Sequence, residues 1–145
     1  EILRRNYYQF YLRHTSKINN WDLVDLSAPT IVGEYLVDHN REILYQLADS
    51  SLLWDQRIAV VLTIALIRRN DFTDIYALSE KLMHHPHDLM HKAIGWMLRE
   101  AGKKDKPRLM DFLDTHSCEM PRRMLRYAIE KFPENERQYY LHLSK

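Results

Sequence analysis

Leu52-Leu53-Trp54-Asp55-Gln56-Arg57-Ile58-Ala59-Val60-Val61-Leu62-Thr63-Ile64-Ala65-Leu66-Ile67-Arg68-Arg69 contains neither glycine nor proline. The stretch predicts one helix over 52–69 that is apolar almost all round, and such a helix has neighbours on most sides. Its longest apolar run, Ile58 to Ile67, is interrupted by Thr63 and stops at Arg68-Arg69. That is too short for a membrane span. The helix therefore reads as the buried centre of an all-α protein.

The pattern continues on both sides. Upstream, Glu1 to His14 reads as an aromatic-rich helix, with Tyr7, Tyr8, Phe10 and Tyr11 offering packing surface. Asn19 or Asn20 makes a good N-cap for a helix carrying Trp21. Pro29 interrupts or restarts that helix, because the residue before a proline is pushed out of the α region. Further helices are expected over 30–37 and over Arg41 to Ala48. Downstream, Asn70-Asp71 ends the central helix, and Thr73 caps one running to about His84. Pro86 suits a first helical turn, with Asp88 favourable against the helix dipole. Met90, Ile94, Met97, Leu98 and Ala101 form the buried stripe of the helix that follows, and Gly102 stops it. Two more helices are expected over 107–115 and 121–132, and Pro133 precedes a last one ending near Leu143. The connections are short and no strand is predicted.

Composition agrees with one folded domain. The chain has 145 residues, with 46% hydrophobic and 28% charged, ordinary for a folded soluble protein. A single cysteine, Cys118, excludes an internal disulfide framework and suits a reducing compartment. No secretory signal is visible. Because the chain starts at Glu1 inside a helical pattern, an N-terminal portion is expected to precede it. The net charge of +1 does not itself argue for nucleic acid, but its distribution leans that way. Residues 81–145 hold 13 Lys+Arg against 9 Asp+Glu, whereas residues 1–80 hold 8 against 11. This permits a phosphate-binding face in the second half without demanding one.

A weak internal repeat is also present. Trp21-Asp22-Leu23-Val24, Gln56-Arg57-Ile58-Ala59, His91-Lys92-Ala93-Ile94 and Arg122-Arg123-Met124-Leu125 each sit near a helix start, at spacings of 35, 35 and 31 residues. These fall within or close to the range of helical-hairpin repeats. Such repeats stack into a curved solenoid whose second helices usually line the concave side. Equivalent starts would align Trp21, Arg57, Lys92 and Arg123 along one groove.

Several side chains stand out, each with two readings. Trp21 and Asp25 are four apart and share a helix face. Asp25 is either a solvated or paired structural carboxylate, or part of a site. Trp96 lies roughly 140° from the middle of its helix's apolar stripe, beside Lys92, Arg99 and Glu100. It either packs against the adjacent repeat or forms the wall of a binding groove. Arg57, on an apolar helix, must find a carboxylate, a carbonyl or a phosphate. A structural Asp25–Arg57 pair is compatible with both readings. Arg122, Arg123, Arg126 and Lys131 are a solvated helix face by default and phosphate contacts otherwise. His84, His85, His87 and His91 do not complete a familiar metal-ligand set, and no spacing makes Cys118 a nucleophile.

Trp21-Asp22-Leu23-Val24-Asp25, Trp54-Asp55-Gln56-Arg57, the 92–100 segment Lys-Ala-Ile-Gly-Trp-Met-Leu-Arg-Glu and the 120–129 segment Met-Pro-Arg-Arg-Met-Leu-Arg-Tyr-Ala-Ile occur in this order along nearly the whole chain. Together they resemble the AlkD-like family of DNA alkylation-repair glycosylases. The resemblance implies an all-α, right-handed solenoid of HEAT-like antiparallel helix pairs. In it, residues 1–145 form a single repeat domain, the C-terminal part of a longer family domain. It implies excision of purines alkylated at N3 or N7, such as 3-methyladenine and 7-methylguanine, without turning the base into a pocket. By place in the motif, Asp25 corresponds to the catalytic carboxylate. Trp21 and Trp96 match the indoles that pack on the damaged nucleotide's sugar, and Arg57 matches the arginine beside the DNA backbone.

So sparse a site suits the chemistry. An N3- or N7-alkylated purine already carries positive charge and leaves as a neutral base, so one of the two carboxylates of an ordinary glycoside hydrolase is unnecessary. A carboxylate and two aromatic faces would stabilise the oxocarbenium-like sugar by Coulomb attraction and cation–π contact. The expected partner is double-stranded DNA, met by Arg57, Lys92, Arg99, Arg122 and Arg123. The expected protein is a cytoplasmic, nucleoid-associated monomer with no cofactor, no metal and no membrane association. The rival reading is a helical-repeat module that binds DNA or a protein and cuts nothing.

Overall fold

The computed structural model describes residues 41–143, and among them every regular element is helical. The chain divides into two compact units, residues 1–71 and 72–145. The expected helices before residue 41 lie outside the described residues.

In the first unit, α1 (Glu42–Ala48), α2 (Leu53–Val61) and α3 (Thr63–Arg68) follow one another closely. Ser50 fixes the entry to α2. Its hydroxyl accepts from Leu52 N at 3.1 Å and donates to Asp55 Oδ2 at 2.7 Å, while Gln56 Nε2 reaches back to its carbonyl at 2.8 Å. The single helix expected over 52–69 is divided at Leu62. Thr63 Oγ1 donates to the Val60 carbonyl at 2.5 Å, a back-bond of the kind that competes with the backbone ladder and bends helices. The apolar character is as expected, since every residue from Ile58 to Ile67 is buried. Asn70 then adopts φ 62°, and the amides of Asn70 and Asp71 bond the carbonyls of Ile67 and Leu66. This is a Schellman stop in which asparagine takes the left-handed position usually given to glycine. Asp71 also receives Arg41 Nη1 at 2.6 Å, tying the two ends of the segment together.

In the second unit, α4 (Thr73–Leu82), α5 (Asp88–Lys104), α6 (Lys106–His116), α7 (Arg122–Ala128) and α8 (Glu134–Leu143) form two layers. The expected stripe on α5 is its buried side: Met90, Ile94, Met97, Leu98 and Ala101 are all fully inaccessible. Burying side chains of this kind contributes on the order of 1.5–3 kcal/mol for each large one. Contacts pair alternate helices. Phe72 meets Arg108, Tyr76 meets Phe112, and Glu80 meets His116, so α4 and α6 run side by side in the same direction. Lys106 with Glu136 and Asp114 with Tyr140 do the same for α6 and α8. In the other layer, Asp88 pairs with Arg123 and Arg99 with Glu130, so α5 and α7 are also parallel.

Several expected boundaries move. Thr73 is the first helical residue rather than a side-chain cap, and α4 ends at Leu82. Pro86 precedes α5, whose N-cap is His87. Gly102 does not stop α5, which runs to Lys104. A Cβ at Gly102 would strike Leu109 Cδ2, so this glycine serves the close approach of α6 inside a continuing helix. Asp105 ends α5 instead, and its side chain caps α6 by accepting from Arg108 N at 3.2 Å. The helix expected over 121–132 ends at Ala128, because the short-range bonds Glu130 N to Tyr127 O and Phe132 N to Ile129 O close tighter turns ahead of Pro133.

Candidate nucleic-acid interface

The face of α5 that carries Lys92, Trp96 and Arg99 is set by the buried stripe opposite it. All three side chains are half-buried. Asp88, in the first turn, receives Lys92 Nζ at 3.6 Å and Arg123 Nε at 3.0 Å. One carboxylate thus joins Lys92 and Arg123, the two basic residues expected along one groove. At the other end of the face, Arg99 Nη1 pairs with Glu130, while its Nε is buried with no hydrogen-bond partner.

Between the Asp88 and Arg99 ends of this face lies Gly95. A Cβ there would stand 2.5 Å from Tyr127 Cβ and 2.7 Å from the Met124 carbonyl oxygen, so the missing side chain lets α7 approach α5 directly. Sequence reasoning did not single out Gly95, although its position beside Trp96 in a helix that otherwise favours long side chains was a readable signal. Arg122 is spent differently from its neighbour. Its Nη1 donates to the Leu141 carbonyl at 2.6 Å, holding the end of α8, whereas Arg123 remains exposed.

Arg57, in the first unit, is 2% exposed and already has a partner. A guanidinium buried to this degree is retained only when it is paired. Asp55 beside it is 8% exposed; Ser50 satisfies one oxygen, and the other, Oδ1, is buried without a hydrogen-bond partner. Trp21 and Asp25 lie outside the described residues.

Of the four clustered histidines, His85, His87 and His91 bond nearby backbone, and His84 lies 4.0 Å from Glu119. His87 Nδ1 accepts from Leu89 N at 3.1 Å, His85 Nδ1 accepts from His87 N at 3.0 Å, and His91 Nε2 meets the His85 carbonyl at 2.5 Å. Burial, and then the neighbouring His87 and His91, lower the pKa of His85, which keeps its ring neutral and its lone pair free to accept. Among the described residues no group of three or more His, Cys, Asp or Glu is arranged to hold a metal ion. Cys118 is exposed, with its Sγ 3.0 Å from the Leu143 carbonyl. No described helix is long and apolar enough to cross a membrane.

Compared with known proteins, residues 3–132 match a family model described as DNA alkylation repair enzyme. No curated protein matches the chain.

Proposed function

From the chain's membership of the DNA alkylation repair enzyme family, to which it belongs through residues 3–132 and which gives it a role in alkylation repair with DNA as partner, we propose that it is a DNA glycosylase. It hydrolyses the N-glycosidic bond of purines alkylated at N3 or N7, in base-excision repair and without flipping the base. Asp25 is the carboxylate that stabilises the developing oxocarbenium ion and positions a water. Trp21 and Trp96 supply the aromatic faces. Lys92, Arg99 and Arg123 meet the DNA backbone, whereas Arg122 holds α8 and Arg57 acts by holding protein groups in place. The scaffold is a right-handed HEAT-like solenoid; the parallel ladders of the second unit support this part of the reading.

The observation that carries the proposal is Trp96, half-buried on the charged face of α5 between Lys92 and Arg99. Trp96 stands apart from the inaccessible stripe on the opposite side, so part of its ring is open to a ligand. The chemistry asks little more of the protein, because the alkylated base is its own leaving group. The test is release of 7-methylguanine from methylated duplex DNA. Asp25→Ala is expected to lower the rate at least about 100-fold, the order of effect for a group that stabilises charge in the transition state. Release unaffected by that change would remove Asp25 from the mechanism, and no release by the unaltered protein would favour a module that only binds.

A further inference from the structure

At the far end of the same α5 face, four basic side chains surround a cavity of about 120 Å³: Arg99 and Lys103 on α5, Lys106 at the start of α6, and Lys131 after α7. Phe132 completes the wall, and among the described residues no carboxylate lines it. The volume is room for several waters or one tetrahedral oxyanion.

Three of the cations are held from outside the cavity by one carboxylate each. Arg99 pairs with Glu130, Lys103 with Glu100 at 2.8 Å and Lys106 with Glu136 at 2.8 Å. Lys106 is steadied further by the Phe132 ring, 4.8 Å away. These partners fix the cations without exhausting them, since an ammonium carries three donors and a guanidinium five. Arg99 Nε is buried and unbonded, which costs free energy until an acceptor arrives. Lys131 is exposed and has no partner among the described residues, leaving one net positive charge among these seven groups.

We propose that this cavity seats a phosphate group, and the geometry points to the DNA backbone as its source. Lys103 lies seven residues beyond Trp96, two helical turns on and on the same face. The separation is about 10.5 Å along the axis at 1.5 Å per residue. That matches roughly three nucleotides of rise at ~3.4 Å each. A strand that follows the α5 axis with its damaged sugar on Trp96 would carry a phosphate to the cavity. This placement rests on the glycosylase reading of Trp96; the phosphate seat itself does not.

The test uses undamaged duplex DNA, so it reads the seat whether or not Asp25 excises anything. Affinity is measured against salt from about 50 to 200 mM for the unaltered protein and for the double variant Lys103→Gln/Lys131→Gln, both exposed positions. Loss of one phosphate contact flattens the slope of log K against log salt by about 0.9. In parallel, the melting temperature is compared in inorganic phosphate and in chloride at equal ionic strength. A flattened slope supports the DNA backbone as the source. An unchanged slope, with a phosphate-dependent rise in melting temperature that the variant loses, supports the seat and assigns it to free phosphate. An unchanged slope, or no duplex binding, together with no phosphate effect overturns the proposal. A seat that passes while 7-methylguanine release fails leaves the seat standing and removes the glycosylase.

Discussion

Arg57 on α2 and Lys92 on α5 stand 35 residues apart, each near a helix start, and the fold treats them in opposite ways. Arg57 is 2% exposed on a helix buried nearly all round, whereas Lys92 sits on an open face, paired with Asp88 at the rim. The difference lies in the residues that follow. Arg57 leads into Ile58-Ala59-Val60-Val61, every one of them buried. The α5 stripe returns only every third or fourth position and leaves Lys92, Trp96 and Arg99 together outside it. The same residue class at matching places in the sequence spacing is thus buried in one unit and half-buried in the other. The width of the apolar stripe around it decides which.

The contrast can be broken most forcefully at Arg57. Removing a buried, partnered guanidinium leaves its partner unsatisfied, so Arg57→Ala is expected to cost about 3 kcal/mol. Urea unfolding measures this, and a salt slope for DNA binding that flattens with unchanged stability would show that Arg57 touches phosphate after all. Next comes the joint that keeps the α5 face in register with α7. Gly95→Leu drives side-chain atoms into Tyr127 and the Met124 backbone, for an expected loss of about 2 kcal/mol by overpacking. A neutral outcome would mean that the two helices separate freely. The smallest effect on folding belongs to Lys92→Ala, within about 0.5 kcal/mol as for other surface pairs. On DNA the order is reversed, with the salt slope expected to flatten by about 0.9. Equal loss from stability and binding would erase the distinction between strut and contact.

Much of this was legible in the amino acids. The stripe from Met90 to Ala101 has a period only a helix satisfies, and that side of α5 is the buried one. The charged surroundings of Trp96 followed from the same arithmetic. What escaped depended on contacts between segments far apart in sequence. Gly102 read as a stop because local propensity treats glycine as a terminator, while its neighbour Leu109 needs the absent side chain. The division at Leu62 depends on one hydroxyl bond from Thr63. The burial of Arg57 was legible in the apolar run that follows it, but its partner was not. The basic cavity is built from three separate elements, so no local motif announces it.

The α4–α6 pairs, Phe72 with Arg108, Tyr76 with Phe112 and Glu80 with His116, share a single stride of 36 residues. This makes the unit tolerant of length changes in some places and brittle in others. A residue gained or lost in the turn after α4 changes only a connection and leaves all three pairs matched. One gained inside α4 or α6 rotates every later partner by about 100° and unmatches them at once. Insertions and deletions should therefore accumulate at the hinges between helices, and a new repeat is most simply added as a whole stride.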